Sequence, residues 1–473
     1  MSLFTNLLKK HKPLIVLHIN TPIRSRVFLF NKEMGVAKPN VDFTIKVTEG
    51  EQDLLLVSTD DDTLRCHIIY AVQSHGAKCQ IIVEMNQYCD GVDYDKLATE
   101  EPTNEEIEQG VEDEHGVVYS SDGKQLLNCK NEKLEVYKVK TKCRIIRAGA
   151  FSFCQNIHTI TLPKGLSNIS DKAFYGCKNL SSVNLPESIN HIGNWAFLNC
   201  KKLNTITLPG NLTYIGESAF RGCESLCSIT LPKSLNHIGE GVFSNTNIST
   251  IDSKSPYYIF KQNCLIDESE SNKKMLIHFF SDEKYVMLPQ SITHIGKFAF
   301  CNRKHLTEIT LPDGLIQIES GAFQDCERLT NINLPDSLAY IGNAVFISCK
   351  NLITITLPKR ITRIGNQTFL WCKSLTTINI PEGVTHIEES AFCCCESLTA
   401  ITLPEGLTHI GDRAFCSCKR LTTINLPESL SSIDNAVFDF CDSLSAIYIR
   451  NGTKNHFKEL LTKDLHGKLI EVV

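Results

Sequence analysis

The sequence predicts an α/β-type solenoid of stacked 23-residue coils, built mostly from short strands and turns and preceded by a small all-β domain. Twelve phenylalanines recur with a step of 23 residues, from Phe151 to Phe243 and again from Phe300 to Phe438. A solenoid is indicated because a unit this short buries its apolar side chains only against its neighbours. Eleven prolines keep the same step, at Pro163, Pro186, Pro209, Pro232, Pro289, Pro312, Pro335, Pro358, Pro381, Pro404 and Pro427.

The first 89 residues do not repeat. Their alternation of apolar and polar residues predicts a small antiparallel β domain over residues 1–89. The stretch from Arg26 to Ser58 resembles a PEGA-type module, and an immunoglobulin-like sandwich fits the same pattern. The strands are predicted at Leu14–Ile19, Arg26–Phe30, Phe43–Val47, Asp53–Ser58, Cys66–Ala71 and Cys79–Glu84.

Residues 90–114 have a different composition from the rest of the chain. They contain eleven acidic residues and a single basic one, Lys96. Such a charge imbalance disfavours packing, because the like charges repel one another and stay solvated. The segment is therefore predicted to be an acidic linker between the β domain and the repeats.

Each repeat has the same internal order, which the unit from Leu180 to Lys202 illustrates. Alternating apolar residues predict a short strand that ends at Pro186, since proline has no N–H for a ladder. A second extended segment follows and ends at Ile192. Ala196 and Phe197 predict one buried helical turn that closes the coil.

The repeat resembles the BspA-like (Treponema-type) subclass of leucine-rich repeats. The shared pattern is LxxIxLPxxLxxIGxxAFxxCxx, and LTTINLPESLSSIDNAVFDFCDS from Leu421 shows it nearly complete. The resemblance covers roughly residues 137–450. It implies a curved solenoid that serves as a binding or adhesion scaffold, and it implies no catalytic residues.

The spacing breaks once, because Phe243 and Phe300 lie two repeats plus 11 residues apart. Within the solenoid at 115–450, this break predicts a β-hairpin insertion at about 258–280 that projects from an unbroken stack. The strands of about 137–450 are then expected to form one continuous parallel sheet. A hairpin at Val117–Cys129 is expected to shield the first coil, whose edge is otherwise open. Residues 451–473 predict a C-terminal cap, a helix from about 454 to 465 followed by a strand.

Cysteine is unusually frequent, with 21 residues. The ladder cysteines, ten that share one repeat position, are predicted to be buried, reduced S–H donors to backbone carbonyls. A denser patch at Cys393, Cys394, Cys395, Cys416 and Cys418 leaves a metal or redox role as a distant alternative. The ladder cysteines are Cys154, Cys177, Cys200, Cys223, Cys326, Cys349, Cys372, Cys395, Cys418 and Cys441.

Composition limits the partners and the compartment. A net charge of −5 and a pI near 6.3 predict no general affinity for nucleic acid. No run of 18 apolar residues is present, so no membrane insertion is expected. The N-terminus lacks the pattern of a signal peptide, which together with the many free cysteines favours the cytoplasm, with the cell surface as the alternative. The sequence does not determine the oligomeric state.

The function predicted is binding, with no catalysis and no cofactor, since the sequence contains no Walker, Rossmann, H-E-x-x-H or G-x-S-x-G motif. The chain is interpreted as a scaffold for a protein or glycan, with a BspA-like surface adhesin as the alternative. The candidate binding stripe is the column of residues directly before the Ile of each I-G step, where aromatic rings and histidines recur. Its members are His191, Tyr214, His237, His294, Tyr340, Arg363, His386 and His409, with Gln317 in the same column.

Overall fold

The computed structural model describes seven strands between residues 14 and 82 and the continuous run 94–472. The chain divides into two compact units, Met1–Glu101 and Pro102–Val473. In the first unit, one sheet holds three of the strands and a second sheet holds four. The strands are Leu14–Asn20, Ser25–Leu29, Lys32–Ala37, Phe43–Thr48, Gly50–Ser58, Arg65–Val72 and Lys78–Ile82, and a helix follows at Tyr94–Thr99.

The pairing in this unit is antiparallel except between Leu14–Asn20 and Lys78–Ile82, which run parallel. The ends of two predicted strands, Phe30 and residues 83–84, lie outside the described residues, as do residues 90–93 of the predicted linker. A small all-β domain of PEGA or immunoglobulin type stays a prediction.

The second unit is a solenoid whose coils contribute short strands to a first ladder, except that the coil with Thr402 contributes only an isolated bridge. This ladder is divided into five separate sheets, so the predicted single continuous sheet is wrong. Coils pair in parallel and in register, so that Thr159, Ser182 and Thr205 align. The middle residue of each three-residue strand points inward, which gives an exposed–buried–exposed pattern. The strands are Val136–Lys138, Thr159–Thr161, Ser182–Asn184, Thr205–Thr207, Ser228–Leu231, Thr250–Ser253, Tyr285–Met287, Glu308–Thr310, Asn331–Ile332, Thr354–Thr356, Thr377–Asn379, Thr423–Asn425 and Ala446–Arg450.

A second ladder of two-residue parallel strands runs beside the first. In most of these strands a partly or fully exposed residue precedes a buried isoleucine. The strands are Ile145–Ile146, Asn168–Ile169, His191–Ile192, Tyr214–Ile215, His237–Ile238, His294–Ile295, Gln317–Ile318, Tyr340–Ile341, Arg363–Ile364, His386–Ile387, His409–Ile410 and Ser432–Ile433.

The third side of each coil is a turn that carries the repeat phenylalanine. Along each run of repeats these rings stack on one another, with centroids 4.9–6.1 Å apart and planes within 10°. The predicted helical turn is wrong, because the residues two before and two after each of these phenylalanines have positive φ. Around Phe197 these are Trp195 and Asn199 (φ 55° and 60°), and the Phe197 N–H donates to the Ala219 carbonyl of the next coil at 2.8 Å.

The predicted unbroken stack is also wrong, because a hairpin lies inside the stack rather than projecting from it. We call this insertion the junction hairpin; it has three successive antiparallel strands, at Tyr258–Lys261, Cys264–Glu270 and Lys273–Phe279. It separates two hydrophobic clusters, which we call the N-terminal block and the C-terminal block. Adjacent residues of a strand face opposite sides, so Phe280 packs on Phe243 of the N-terminal block (5.9 Å) and Phe279 packs on Phe300 of the C-terminal block (5.1 Å).

Residues 102–114, which belong to the predicted acidic linker, pack on the first coil. Thr103 caps the helix Asn104–Glu108 through a capping box, and Glu106 pairs with the buried Arg147 at 3.2 Å. Asp113 accepts a hydrogen bond from Tyr137 at 2.6 Å. The number of acidic residues in this segment did not predict the packing, because it does not reveal which carboxylates pair with buried side chains. The strands Val111–Glu112, Val117–Tyr119 and Gln125–Cys129 then cover the edge of the second ladder.

At the other end, the predicted cap helix is shorter than expected. The helix Lys454–Leu460 ends because Leu461 and the following residue are extended, and a 3-10 helix, Lys463–Lys468, follows. This change of direction lets Leu461 and Leu465 join Phe457 at the end of the core. The strand Leu469–Val472 then pairs with the last strand of the first ladder.

Candidate functional site

The residues of the predicted binding stripe all lie at the first position of second-ladder strands. The stripe residue and the buried isoleucine alternate because successive side chains of a strand point to opposite faces. The stripe therefore lies on the ladder's outer face, where its members are partly buried or exposed.

The ladder divides the stripe into three runs. In the first run His191 aligns with Tyr214 and Tyr214 with His237. The second run contains His294, Gln317 and Tyr340. The third contains Arg363, His386 and His409. The first break is the junction hairpin, where Met275 rather than a stripe residue aligns with His294.

The side-chain rings of the first run stack more regularly than those of the third run. Its rings are stacked face to face, with centroids 4.3 Å apart both between His191 and Tyr214 and between Tyr214 and His237. In the third run, His386 and His409 are 5.7 Å apart and tilted. There Arg363 contacts Glu388 at 2.8 Å, so part of its charge is compensated within the protein.

A cleft of about 470 Å³ opens where the first run meets the junction hairpin. The rings of Tyr214 and His237 line one side, and Asp267 of the hairpin lines the other. Two ion pairs also line the cleft, Glu240 with Lys297 and Glu270 with Lys273, whereas Glu217 and Asp267 have no lysine or arginine partner among the described residues. The cleft thus combines aromatic rings with carboxylates. Sequence reasoning missed Glu217 and Asp267, although the break in the spacing marked the place.

Two histidines of the stripe border this break and share one electrostatic property. Burial lowers the pKa of His237, although the nearby Asp267 acts in the opposite direction. Burial also lowers the pKa of His294, and the charge of Lys273 adds to this effect. Because the ordinary value is about 6.5, both imidazoles are neutral at neutral pH and take up a proton only in more acidic solution.

The first ladder offers a different surface, made of small polar side chains. Thr205 and Thr207 are exposed on either side of a buried isoleucine, and Thr354 and Thr356 repeat this arrangement. Thr, Ser or Asn occupies these exposed positions in most coils, but Tyr285 and Met287, 69% and 73% exposed, occupy them in the coil that follows the junction hairpin. This surface is more regular than the stripe, which varies in charge and ring size.

The ladder cysteines are buried, as predicted, and nine of the ten donate their S–H to a phenylalanine carbonyl 26 residues earlier at 3.1–3.3 Å. Their predicted role as buried donors is confirmed for these nine. Burial raises the pKa of these thiols, that of Cys441 to about 12.

The denser cysteine patch does not form a metal-ligand arrangement. Cys395 and Cys418 donate to backbone carbonyls and point into the core. Cys393 and Cys394 lie nearer the surface, with sulfur atoms 3.7 Å apart. Within the described part of the chain, no group of three or more His, Cys, Asp or Glu side chains is arranged to hold a metal ion.

Comparisons with known proteins identify the repeats. A family model for the BspA type leucine rich repeat region matches residues 144–271, 279–393 and 362–463, together more than half of the chain. No curated protein matches. Among the residues that the structure describes, no helix is long and apolar enough to cross a membrane.

Solved structures share the fold. A leucine-rich repeat protein from Eubacterium ventriosum is 21% identical, with a TM-score of 0.55 over 69% of this chain and 92% of its own. The pneumococcal vaccine antigen PcpA is 18% identical, with a TM-score of 0.51 over 76% of this chain and 96% of its own. At these identities the likeness shows the fold alone. Because the family model matches most of the solenoid, the chain belongs to the BspA type leucine rich repeat family.

Proposed function

We propose that this chain is a non-enzymatic scaffold that binds a protein partner through the stripe on its second ladder. Leucine-rich repeat proteins are generally non-enzymatic scaffolds, which agrees with the absence of catalytic motifs in the sequence. The observation that carries the proposal is the first run, in which the rings of His191, Tyr214 and His237 stack at 4.3 Å and stay accessible.

The composition of the stripe favours a protein as the partner. Aromatic and arginine side chains are enriched in the cores of protein interfaces. Stacked rings also lose little freedom on binding, because their neighbours in the ladder already hold them in place. Tyr340 and Arg363, both exposed, extend the same composition beyond the first run.

The cleft beside the first run adds charge to this surface. Glu217 and Asp267 line it together with the rings of Tyr214 and His237. A lysine or arginine of the partner fits such a place, because a cation is attracted both to carboxylates and to aromatic faces. We therefore place the partner's basic side chain in the cleft and its neighbouring residues along the stripe.

Pull-down with the immobilised full chain tests the proposal. The triple variant His191→Ser, Tyr214→Ser, His237→Ser and the triple variant Tyr340→Ser, His386→Ser, His409→Ser are each compared with wild type. The matched control, Thr205→Ser with Thr207→Ser, changes the exposed face of the first ladder instead. Each variant is first checked by circular dichroism for a wild-type spectrum and unfolding midpoint.

We expect a protein captured by wild type and by the control to be lost from at least the first triple variant. Capture that is unchanged in both triple variants would remove the stripe from the functional account. Capture that is lost only in the control would move the binding surface to the first ladder.

A glycan is the second candidate ligand, and the first ladder is where it would bind. In most coils its Thr and Asn side chains offer regularly spaced hydroxyl and amide groups, which suit a repetitive ligand. A glycan array separates the two candidates. Glycan binding that falls in a Thr205→Ala, Thr207→Ala variant, which removes both hydroxyl groups, and persists in the stripe variants would favour this alternative.

A role as a surface adhesin is compatible with either ligand. It differs from the main proposal in where the protein is found, so labelling intact cells with a membrane-impermeant reagent tests it. Labelling of the native protein supports an adhesin, and labelling only after lysis counts against it.

A further inference from the structure

The ladder-cysteine position is not cysteine in every repeat, and the exceptions flank the junction hairpin. Of the twelve residues three after a repeat phenylalanine, ten are cysteines. The last of the N-terminal block is Thr246, and the first of the C-terminal block is Arg303. Thr246 is a small buried substitute whose hydroxyl donates to the Phe243 carbonyl at 2.8 Å. Arg303 instead brings a large cation to a position that is otherwise small and neutral.

The Arg303 guanidinium has an unusual partner. Its Nη2 lies 2.9 Å from Nε2 of His278, a side chain with no exposed surface. A guanidinium can only donate hydrogen bonds, so Nε2 of His278 is the acceptor and the imidazole proton is on Nδ1. Burial and the charge of Arg303 both lower the pKa of His278, which keeps this imidazole neutral.

This arrangement leaves two buried N–H groups without an acceptor. Within the described part of the chain, neither Nδ1 of His278 nor Nε of Arg303 has a hydrogen-bond partner. Both atoms are donors, and a buried donor without an acceptor is unfavourable because it has given up its hydrogen bond to water. The buried Oδ1 of Asn245 also lacks a partner, and its amide becomes a further donor when it is turned over.

The Arg303 guanidinium has no ion-pair partner among the described residues, although the charge of Asp282 acts on it from a longer distance. No acidic oxygen of the described residues lies within 4 Å of its guanidinium. The neighbouring acids have other cationic or basic partners: Asp282 lies 3.6 Å from His305, and Glu224 lies 2.7 Å from Lys201. A largely buried cation without a direct ion-pair partner is costly, because the interior solvates it poorly.

A cavity of about 550 Å³ lies beside this cation, on the outside of the junction. Arg303, Lys304 and His305 line it, and so do two carboxylates, Asp282 beside His305 and Glu224, which is paired with Lys201. A second guanidinium, that of Arg221, lies nearby over the ring of Phe298 at 4.3 Å and contributes positive potential at Cys301, which also lines the cavity.

From the Arg303 guanidinium, which has no ion-pair partner among the described residues, from its Nε, which has no acceptor there, and from the open cavity that it lines, we propose that the junction binds a small oxyanion, the phosphate or carboxylate group of a ligand. Arg303 is the main ligand-binding residue, since a guanidinium can donate two parallel hydrogen bonds to either group. His278 is a positioning residue, because its neutral Nε2 holds one edge of the guanidinium in place. This site is separate from the stripe and does not depend on the proposed function.

Isothermal titration of the full chain with sodium phosphate and, separately, with sodium acetate tests the proposal at constant ionic strength. We expect saturable binding of at least one probe. Arg303→Gln and Arg303→Cys, the second of which restores the residue of the other repeats, should weaken it about tenfold or more, because a charge-assisted hydrogen bond is lost. Lys350→Gln is the matched control, since this lysine is exposed, is paired with Glu327 and does not line the cavity, and it should change affinity by less than about threefold.

The wild-type chain provides a second readout that does not depend on how the variants fold. The Nδ1 resonance of His278 should shift on addition of the bound probe, because the anion changes the guanidinium beside this imidazole. Binding of phosphate alone would identify a phosphate-bearing ligand, and binding of acetate would identify a carboxylate.

Three results would overturn the proposal. The first is that neither probe shows saturable binding up to about 50 mM, far above ordinary ligand affinities. The second is equal affinity in wild type and Arg303→Gln. The third is an equal loss of affinity in Lys350→Gln, which would indicate diffuse surface charge.

Discussion

At the scale of single residues, the repeat phenylalanine holds each coil to the next in two ways. Its ring stacks on the rings above and below, and its N–H donates to the following coil. The left-handed residues on either side make this second bond possible, because they turn the peptide groups along the stack. These positions favour Gly and Asn, yet Trp371 and Phe440 occupy two of them (φ 61° and 57°) with exposed side chains.

Phe346 and Phe440 therefore form a matched pair for a stability test. Phe346→Ala removes a ring that has no exposed surface and lies between two stacked neighbours, so it should lower the free energy of unfolding by about 3–5 kcal/mol. Phe440→Ala removes a ring that is 70% exposed, so it should change this free energy by less than about 0.5 kcal/mol. Urea denaturation measures both, and similar midpoints would show that the ring stack does not stabilise the coil.

The ladder cysteines predict how stability depends on pH. Burial raises the pKa of these thiols above the ordinary value near 9, so the unfolded chain loses thiol protons at a lower pH than the folded chain does. The folded state then holds more protons, and the free energy of unfolding falls as the pH rises above about 9. The slope approaches about 1.4 kcal/mol per pH unit for each buried thiol.

Urea denaturation at pH 8, 9 and 9.5 measures this slope. Cys349→Ser is the control, because it keeps a small hydrogen-bond donor but removes one titrating group. The free energy of unfolding of this variant should fall less steeply with pH, by the contribution of one thiol. A stability that does not change over this range would mean that the thiols are already ionised or accessible in the folded protein.

At the scale of elements, the junction hairpin shows what the sequence could and could not reveal. The 23-residue spacing is sufficient to predict the coils, because each repeat position has the same environment in every coil. The hairpin has no repeated environment, so its burial could not be read from periodicity. Phe279 and Phe280 are adjacent in sequence and serve two different cores, an arrangement that depends on which coils lie on either side.

The candidate site was predictable to a similar extent. The stripe residues were identified from their common position, and the structure places them on one face of one ladder. Its division into three runs, the ring stacking at His191 and the cleft beside His237 depend on strand pairing across the junction. The role of Arg303 was hidden because the sequence shows only that a cysteine is missing, not that a buried histidine faces the replacement.

The two faces of the junction hairpin predict separate effects of two neighbouring mutations. Phe280→Ala should loosen the N-terminal block, because its ring packs on Phe243, and Phe279→Ala should loosen the C-terminal block, because its ring packs on Phe300. Hydrogen exchange monitored by mass spectrometry distinguishes them. Phe280→Ala should raise exchange mainly in strands of residues 214–238, and Phe279→Ala mainly in strands of residues 294–318. Equal increases in both blocks for both variants would indicate a single cooperative core.

At the scale of the whole molecule, the beginning of the solenoid is set by packing rather than by the repeat pattern. The compact unit starts at Pro102, well before the first repeat phenylalanine at residue 151. The intervening residues close the first coil: Tyr119 and Tyr137 share a buried hydrogen bond of 2.6 Å between their hydroxyls, and Asp113 accepts from Tyr137. A solenoid end without such a cap exposes apolar side chains and an unpaired strand edge.

Two truncations test where this unit begins. Residues 102–473 should unfold at the same urea concentration as the solenoid of the full chain, because the capping segment is retained. Residues 115–473 lose Glu106, the carboxylate beside Arg147, and Asp113, the acceptor for Tyr137. Arg147 keeps its hydrogen bond to Gln125 and Tyr137 keeps that to Tyr119, but each loses a bond to a charged carboxylate. Such a bond contributes about 1.5–3 kcal/mol, so the shorter fragment should unfold at a lower urea concentration. The double variant Glu106→Gln, Asp113→Asn of fragment 102–473 removes the two carboxylates without removing any residues. Its urea midpoint should show most of the decrease seen in fragment 115–473.

Equal midpoints for the two fragments would mean that residues 102–114 do not belong to the folded solenoid. An unfolded 102–473 fragment would mean that the first 101 residues are needed to complete it.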